Sequence, residues 1–255
     1  MIRFILFFCM AVPLISCSDP ESLKKEAEEK LEARYGEEFD ILSFNEVVLE
    51  QPRYEFTARP RAKPGYVFEL TMTKENHVVI DNYLGMRWVY EATEELKNYI
   101  SPRYPKTAAL VEPHLKYLET ASEKSIPSFQ TALNNLSEED EVYVTVYFFT
   151  DYTDSTKQEL FAEIRNIISF YQKENIPRTR FSFQFYDQQY FRDVNTDSLH
   201  YCFEGRVFHY PDCFETRYLK QGRHSISLDI TAGQPTPDDS FLESEMVDWS
   251  TLDIR

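Results

Sequence analysis

"EVYVTVYFFT" (residues 141–150), "STKQELFAEIRNIISFYQKEN" (155–175) and "RTRFSFQFYDQQYF" (178–191) follow one another almost without a break, and each has a different periodicity. The first is rich in β-branched and aromatic residues, the composition of a strand. The second puts Leu160, Ile164, Ile167, Ile168 and Tyr171 on one helical stripe. It opens on a Ser155…Gln158 capping box and stops at Asn175-Ile176-Pro177. The third sets Phe181, Phe183 and Phe185 on one face and Arg180, Ser182 and Gln184 on the other, a half-buried strand. This β-helix-β unit gains antiparallel neighbours from "HSISLDIT" (224–231) and from a hairpin around Cys202 and Cys213. The expectation is an α+β layer, with a ferredoxin-like unit as its nearest arrangement.

Upstream, Leu23, Ala27, Leu31 and Tyr35 fall four apart, and Lys24/Glu28, Lys25/Glu29 and Glu26/Lys30 form charge pairs on the remaining surface of the same helix. Asp19 and Pro20 fit its N-cap and first position, and Gly36 fits its stop. Four runs with strand character follow: "FDILSFNEVVL", "RYEFTARPR", "GYVFELTMT" and "HVVIDNYLGMRWVY". Prolines and polar turns separate them, and "EATEELKNYI" (91–100) closes the unit as a helix. Two prolines within 102–105 mark a boundary, and 107–136 read as two short helices broken near Pro127. The chain therefore divides into a signal segment (1–16), an α+β domain (17–105), a second α+β domain (106–234) and an acidic C-terminal segment (235–255). Each domain is expected to be an antiparallel or mixed sheet covered by helices.

At the amino terminus, Arg3 precedes an apolar run too short to span a bilayer, which takes roughly 20 residues, so the run reads as a secretory signal. At its end, Leu14-Ile15-Ser16-Cys17 resembles the lipobox of bacterial lipoproteins. The resemblance covers the first eighteen residues only. It implies cleavage before Cys17, acylation of that cysteine (palmitate among the chains) and a protein held on the cell envelope. Ser18, where aspartate would favour inner-membrane retention in the enterobacterial sorting pattern, leans toward the outer membrane. A lipid anchor of more than one acyl chain holds stably, because each buried methylene adds about 0.8 kcal/mol.

Acids outnumber bases 43 to 27, a net charge of −16, and losing Arg3 with the signal removes one more cation. Such a balance excludes nucleic acid, whose binding rests on neutralised phosphates, and anionic headgroups as a docking surface. It suits solubility in a crowded periplasm, and it suits a basic protein partner. With Cys17 lipidated, Cys202 and Cys213 are an even pair in an exported protein and read first as a disulfide. Free thiols are one alternative, and a metal site is the other: it adds His200 and His209, which together with the two thiols supply four zinc-acceptable ligands. In the tail, Phe241, Met246 and Trp249 stand at helix-compatible intervals among acids. They are candidates for partner contact, against the plainer account of a terminal helix packed on its own domain. His77 and Asp81 fall on one face of an expected strand and read as an exposed polar edge. The tyrosines of "YVTVYFFTDY" and "QFYDQQYF" read mainly as packing, with an exposed contact face as the alternative.

Six glycines leave little material for phosphate-cradling loops, and neither nucleotide-binding pattern occurs. No nucleophile-elbow, zincin or penicillin-binding motif is present, so the sequence names no catalytic residue and no cofactor. The expectation is a lipid-anchored, non-enzymatic binding protein, in its most concrete form an immunity or inhibitor protein for a basic envelope partner. A hydrolase of envelope glycan or peptide and an accessory subunit of an envelope assembly are the alternatives. In a lipidating host, the mature amino-terminal peptide should carry acyl chains on Cys17. Mass spectrometry of the purified protein checks this, and an unmodified amino terminus would remove the envelope assignment.

Overall fold

Residues 19–48, 51–115, 127–189 and 224–248 are described by a computed structural model. Cys17, His200, Cys202, His209, Cys213 and Trp249 lie outside them, together with the expected cysteine hairpin. The described residues form an α+β fold with a four-stranded antiparallel sheet and a five-stranded mixed one.

Helix α1 (Pro20–Tyr35) buries the expected stripe of Leu23, Ala27 and Leu31, and Gly36 ends it at φ 69°. Asp19 occupies the N-cap with its backbone: its carbonyl accepts the Leu23 N–H at 3.1 Å, while its carboxylate makes no capping bond. Strands β1 (Phe39–Val47), β2 (Arg53–Pro60), β3 (Phe68–Thr73) and β4 (Val79–Asp81) pair in chain order. Because side chains alternate across a strand, Tyr54, Phe56 and Ala58 of β2 and Phe68, Leu70 and Met72 of β3 meet α1 in one core. Thr57 and Glu55 face outward, bonded to Ser43 and Asn45 of β1.

The fourth strand-like run is mostly helix. β4 is only three residues long, and α2 (Tyr83–Ile100) begins two residues later and reaches well upstream of "EATEELKNYI". The Asp81 carboxylate accepts the Tyr83 N–H at 3.0 Å and turns the chain at that point. The run looks extended in sequence because α2 is buried on two sides. Tyr83, Met86 and Tyr90 enter the first sheet's core, while Trp88, Ala92, Leu96 and Ile100 enter the second sheet's core. A helix with two apolar stripes shows no polar face to mark its period.

The second sheet runs β5 (Thr107–His114), β6 (Glu141–Phe148), β7 (Arg178–Phe185), β8 (His224–Thr231) and β9 (Met246–Asp248) in spatial order. Residues 107–114 are thus a strand where a short helix was expected. Their alanines favour helix, but tertiary pairing wins: Thr107 to His114 pair antiparallel with Phe148 to Glu141, and Thr93 Oγ1 on α2 accepts the Val111 N–H at 2.9 Å. Pro113 is tolerated because β5 is an edge. The short helix α3 (Phe129–Leu133) follows Pro127, capped by Ser128.

Helix α4 (Asp154–Gln172) carries the chain from β6 to a parallel β7, as the opening three segments required. Its capping box is Thr153 with Thr156, two residues ahead of the expected pair; the Thr153 N–H donates to Thr156 Oγ1 at 3.0 Å. The ferredoxin-like expectation fails on pairing. β6 and β7 are direct neighbours, so no strand splits the crossover. Helix α5 (Asp239–Ser244) and β9 fold the start of the acidic tail back onto this sheet, with Leu242 fully buried in its core.

Polar contacts fasten the shared helix. Trp88 Nε1 donates to the Pro127 carbonyl at 2.8 Å, Glu91 accepts the Phe129 N–H at 2.8 Å, and Arg103 grips the buried Glu163 of α4 through two bonds of 2.8 and 2.6 Å. Both cores hang on α2, so they should unfold together. In a Trp249→Phe background, Leu31→Ala in the first core should cost about 2–5 kcal/mol and lower the urea midpoint read by Trp88 fluorescence as much as that read by circular dichroism. A Trp88 midpoint unmoved by Leu31→Ala would show that the sheets unfold independently.

Candidate functional site

Where parallel strands β6 and β7 end, both chains leave the sheet in the same direction, and a cleft of about 510 Å³ opens between the departing segments. Ligand sites in α/β sheets favour this position, outside the carboxyl ends of the strands. Thr150, Asp151, Tyr152 and Thr153 line it from the β6 side, Phe185 to Gln189 from the β7 side, and His224 from the start of β8. The N-terminus of α4 also opens here, its first turn closed by the Thr153 and Thr156 hydroxyls.

The floor is aromatic. The Tyr152 ring lies 5.5 Å from Phe185 and 4.7 Å from the His224 ring, and Phe185 stacks on Phe148 at 5.5 Å. Burial lifts the Tyr152 phenol above its ordinary pKa; Lys157 pulls it down, and Glu243 and Asp154 push it further up. Sheet register puts His224 between Phe185 and Asp248, with Nε2 4.0 Å from the Asp248 carboxylate. Its Nδ1 is buried with no hydrogen-bond partner among the described residues.

The rim is rich in acceptors. Asp151 and Asp187 bring carboxylates, and among the described lining residues there is no lysine or arginine. The lining donors are partly committed elsewhere: the Thr153 hydroxyl belongs to the capping box, and the Tyr186 hydroxyl donates to Gln184 at 2.8 Å. Lys106 reaches the rim from outside and donates to Gln188 Oε1. Such a site suits a ligand that offers donors and a flat or apolar body. Among the described residues, no three His, Cys, Asp or Glu side chains group as metal ligands.

The sequence candidates fall elsewhere. His77 and Asp81 are not an exposed polar edge. His77 sits in the β3–β4 turn at φ 53° with Nδ1 2.7 Å from Glu26. Asp81 is buried, accepting from Arg34 at 2.6 Å and from the Tyr35 hydroxyl at 2.7 Å. Burial, and then the bond to Asp81, push the Tyr35 phenol upward. Tyr147 and Tyr186 are buried, and Tyr143 lies beneath the Arg180 guanidinium at 5.0 Å, so these tyrosines serve packing rather than an open contact face. His224, Asp151 and Asp187 were not marked by sequence reasoning, because only strand register brings them together.

No family model and no curated protein matches the sequence. The fold is similar to the crystal structure of a DUF5037 family protein from Ruminococcus gnavus ATCC 29149, with a TM-score of 0.58 and 13% identity. The match covers 88% of this chain and 98% of that one. At this identity the likeness is one of fold alone.

In the tail, Phe241 is 47% exposed, whereas Leu242 is fully buried and Met246 packs partly on the same core. Lys157–Glu243 and Arg165–Asp239 ion pairs tie α5 to α4. Leu242→Ala should therefore lower the unfolding free energy by about 2–5 kcal/mol, and Phe241→Ala should leave it within about 0.5 kcal/mol. Denaturant titration separates the two. Equal, small effects would mean that the tail does not belong to the core.

Proposed function

We propose that this chain is a lipid-anchored envelope protein that acts by binding, and that its target is a basic protein partner, as for an immunity or inhibitor protein. The observation that carries the reading is how its charge is arranged. Sixteen acids stand in excess, and many cations of the described body are already engaged: Arg34 with Asp81, Arg61 with Glu28, Glu38 and Asp40, Arg87 with Glu37 and Glu91, Arg103 with Glu163, and Arg178 with Asp229. Each pair cancels a base against an acid, so pairing leaves the net charge of −16 unchanged, and it is that excess that sets a negative field around the molecule. That field steers a basic partner and speeds encounter more than it tightens the final complex.

The cleft supplies the short-range half of recognition. A lysine or arginine of the partner is all donor and no acceptor. It complements the carboxylate of Asp151, and a guanidinium can also stack on the Tyr152 ring. Arginine and tyrosine are frequent anchors of protein interfaces for this reason.

The test uses the mature, lipidated protein to recover partners from envelope extract at low salt, followed by rate measurements with the purified partner. The partner should be basic, its association rate should fall about tenfold or more from low to high salt, and Asp151→Asn should speed dissociation. Association that ignores salt, or a partner without basic character, would overturn the reading.

A further inference from the structure

The cleft is far from the protein's only exposed feature. Among the large apolar side chains left in solvent are Val48 at 65% exposure, Val78 at 47% and Ile80 at 62%. Val48 and Val78 belong to one end of the first sheet. Register sets Val47 beside Arg53 and Arg53 beside Thr73, and the Thr73 N–H donates to the Val78 carbonyl at 3.0 Å. Lys74 on the β3–β4 turn reaches across to Glu46 of β1. The sheet end from Val47–Val48 to Val78 is thus one row across three strands, with Ile80 next to it on the edge strand β4.

The same end carries the start of α1. β1 follows α1 after the Gly36 turn and runs back along it, and the contacts confirm the direction: Glu26 meets His77 Nδ1 at 2.7 Å, Lys30 donates to the His77 carbonyl, and Arg34 bonds Asp81 farther along. Asp19 caps the helix only two residues after Cys17. Those two residues reach at most about 7 Å. From Asp19 to Glu26 the helix rises about 10 Å. The β3–β4 turn is therefore tethered within roughly 17 Å of Cys17 along this path.

From this geometry we propose that the end of the first sheet formed by Val48, Val78 and Ile80 rests on the bilayer that holds the Cys17 acyl chains. The proposal rests on the reading of Cys17 as lipidated. The tether holds this end of the sheet within roughly 17 Å of the anchored residue, so it is the part of the first sheet kept nearest the membrane. The occupant is the bilayer interface because the row sets exposed valines among cations that are each already paired, with the exposed Glu75 adding an acid rather than a free cation. Lys24 is bonded to Glu21, Arg53 to Glu55 and Lys74 to Glu46. Such a surface offers apolar contact without the unpaired cations that an anionic headgroup layer would call for. The contact is consequently one with zwitterionic headgroups and is insensitive to salt, unlike the association with a basic partner.

The experiment places the lipidated protein, in a Trp249→Phe background, in phosphatidylcholine vesicles with brominated acyl chains. Single tryptophans are introduced as Val78→Trp, Val48→Trp or Ala62→Trp. Ala62 is an exposed position in the turn at the opposite end of the same sheet, about 23 Å away along β2. Trp88 is fully buried and supplies a constant background. The Val78→Trp and Val48→Trp proteins should be quenched more strongly than the Ala62→Trp protein, at low and high salt alike. Equal quenching at all three sites, none at any, or stronger quenching at Ala62→Trp would overturn the proposal while leaving the anchor intact. Flotation of the vesicles and the mass of the amino-terminal peptide are read in parallel. Unmodified Cys17 with protein that fails to float would overturn the anchor and this contact together.

Discussion

Helix α2 must satisfy two cores at once. Tyr83, Met86 and Tyr90 complete the hydrophobic layer under the first sheet, and Trp88, Ala92, Leu96 and Ile100 complete the layer of the second. Most surface helices bury one stripe and leave the opposite one wet; this one has apolar side chains on two. Its remaining polar groups are drawn into fixing what lies around it. Thr93 satisfies an edge-strand N–H, Glu91 receives the Phe129 N–H, and Trp88 caps the Pro127 carbonyl. The boundary expected at 101–105 falls after α2 in the chain, yet the helix before it already belongs to the second core. Two sheets that look separable in sequence are thereby one packing problem.

The elements that could be read from sequence were those with a single buried face. The alternation of Phe181, Phe183 and Phe185, the stripe of α4, and the four-residue spacing of α1 all correspond to one core side and one solvent side, and each formed as its period required. The misreadings share the opposite condition. The first half of α2, buried on two sides, looked extended, and β5, rich in alanine, looked helical. In both, local propensity was outweighed by a partner that a linear reading does not reveal: the second core for α2, and β6 with Thr93 for β5. The capping box slipped by two residues for a smaller reason. Threonine at 153 and 156 forms the same reciprocal bonds as the expected serine and glutamine.

The cleft was less legible than the fold. Asp151 and Asp187 follow the ends of two strands that are 30 or more residues apart, and His224 starts a third. Their convergence depends on β6 and β7 being parallel neighbours, because only parallel strands deliver their carboxyl ends to one side. That relation could be anticipated from the β-helix-β order, and the tyrosine-rich stretches flanking it were noticed. The identity of the lining side chains required the register that pairs Phe185 with His224 and His224 with Asp248. By contrast, His77 and Asp81 are close in sequence and do not act together. α1 takes each of them separately, His77 through Glu26 and Asp81 through Arg34.

On the proposed reading, charge and tether divide the surface between two different physical tasks. The excess of acids repels anionic surfaces over distances of about a Debye length, roughly 8 Å at physiological ionic strength, so electrostatics cannot be what holds such a body on a membrane. Acyl chains can, since their burial does not depend on the charge of the protein they carry. With the anchor proposed at Cys17 doing the holding, the rest of the surface would be released from that duty, and its negative field would remain available for the proposed basic partner. The internal ion pairs do different work. Arg34, Arg87 and Arg103 meet buried or half-buried carboxylates and fasten the helices to what lies around them, and because each pair cancels a base against an acid, they leave the net charge of −16, and the field it sets, unchanged.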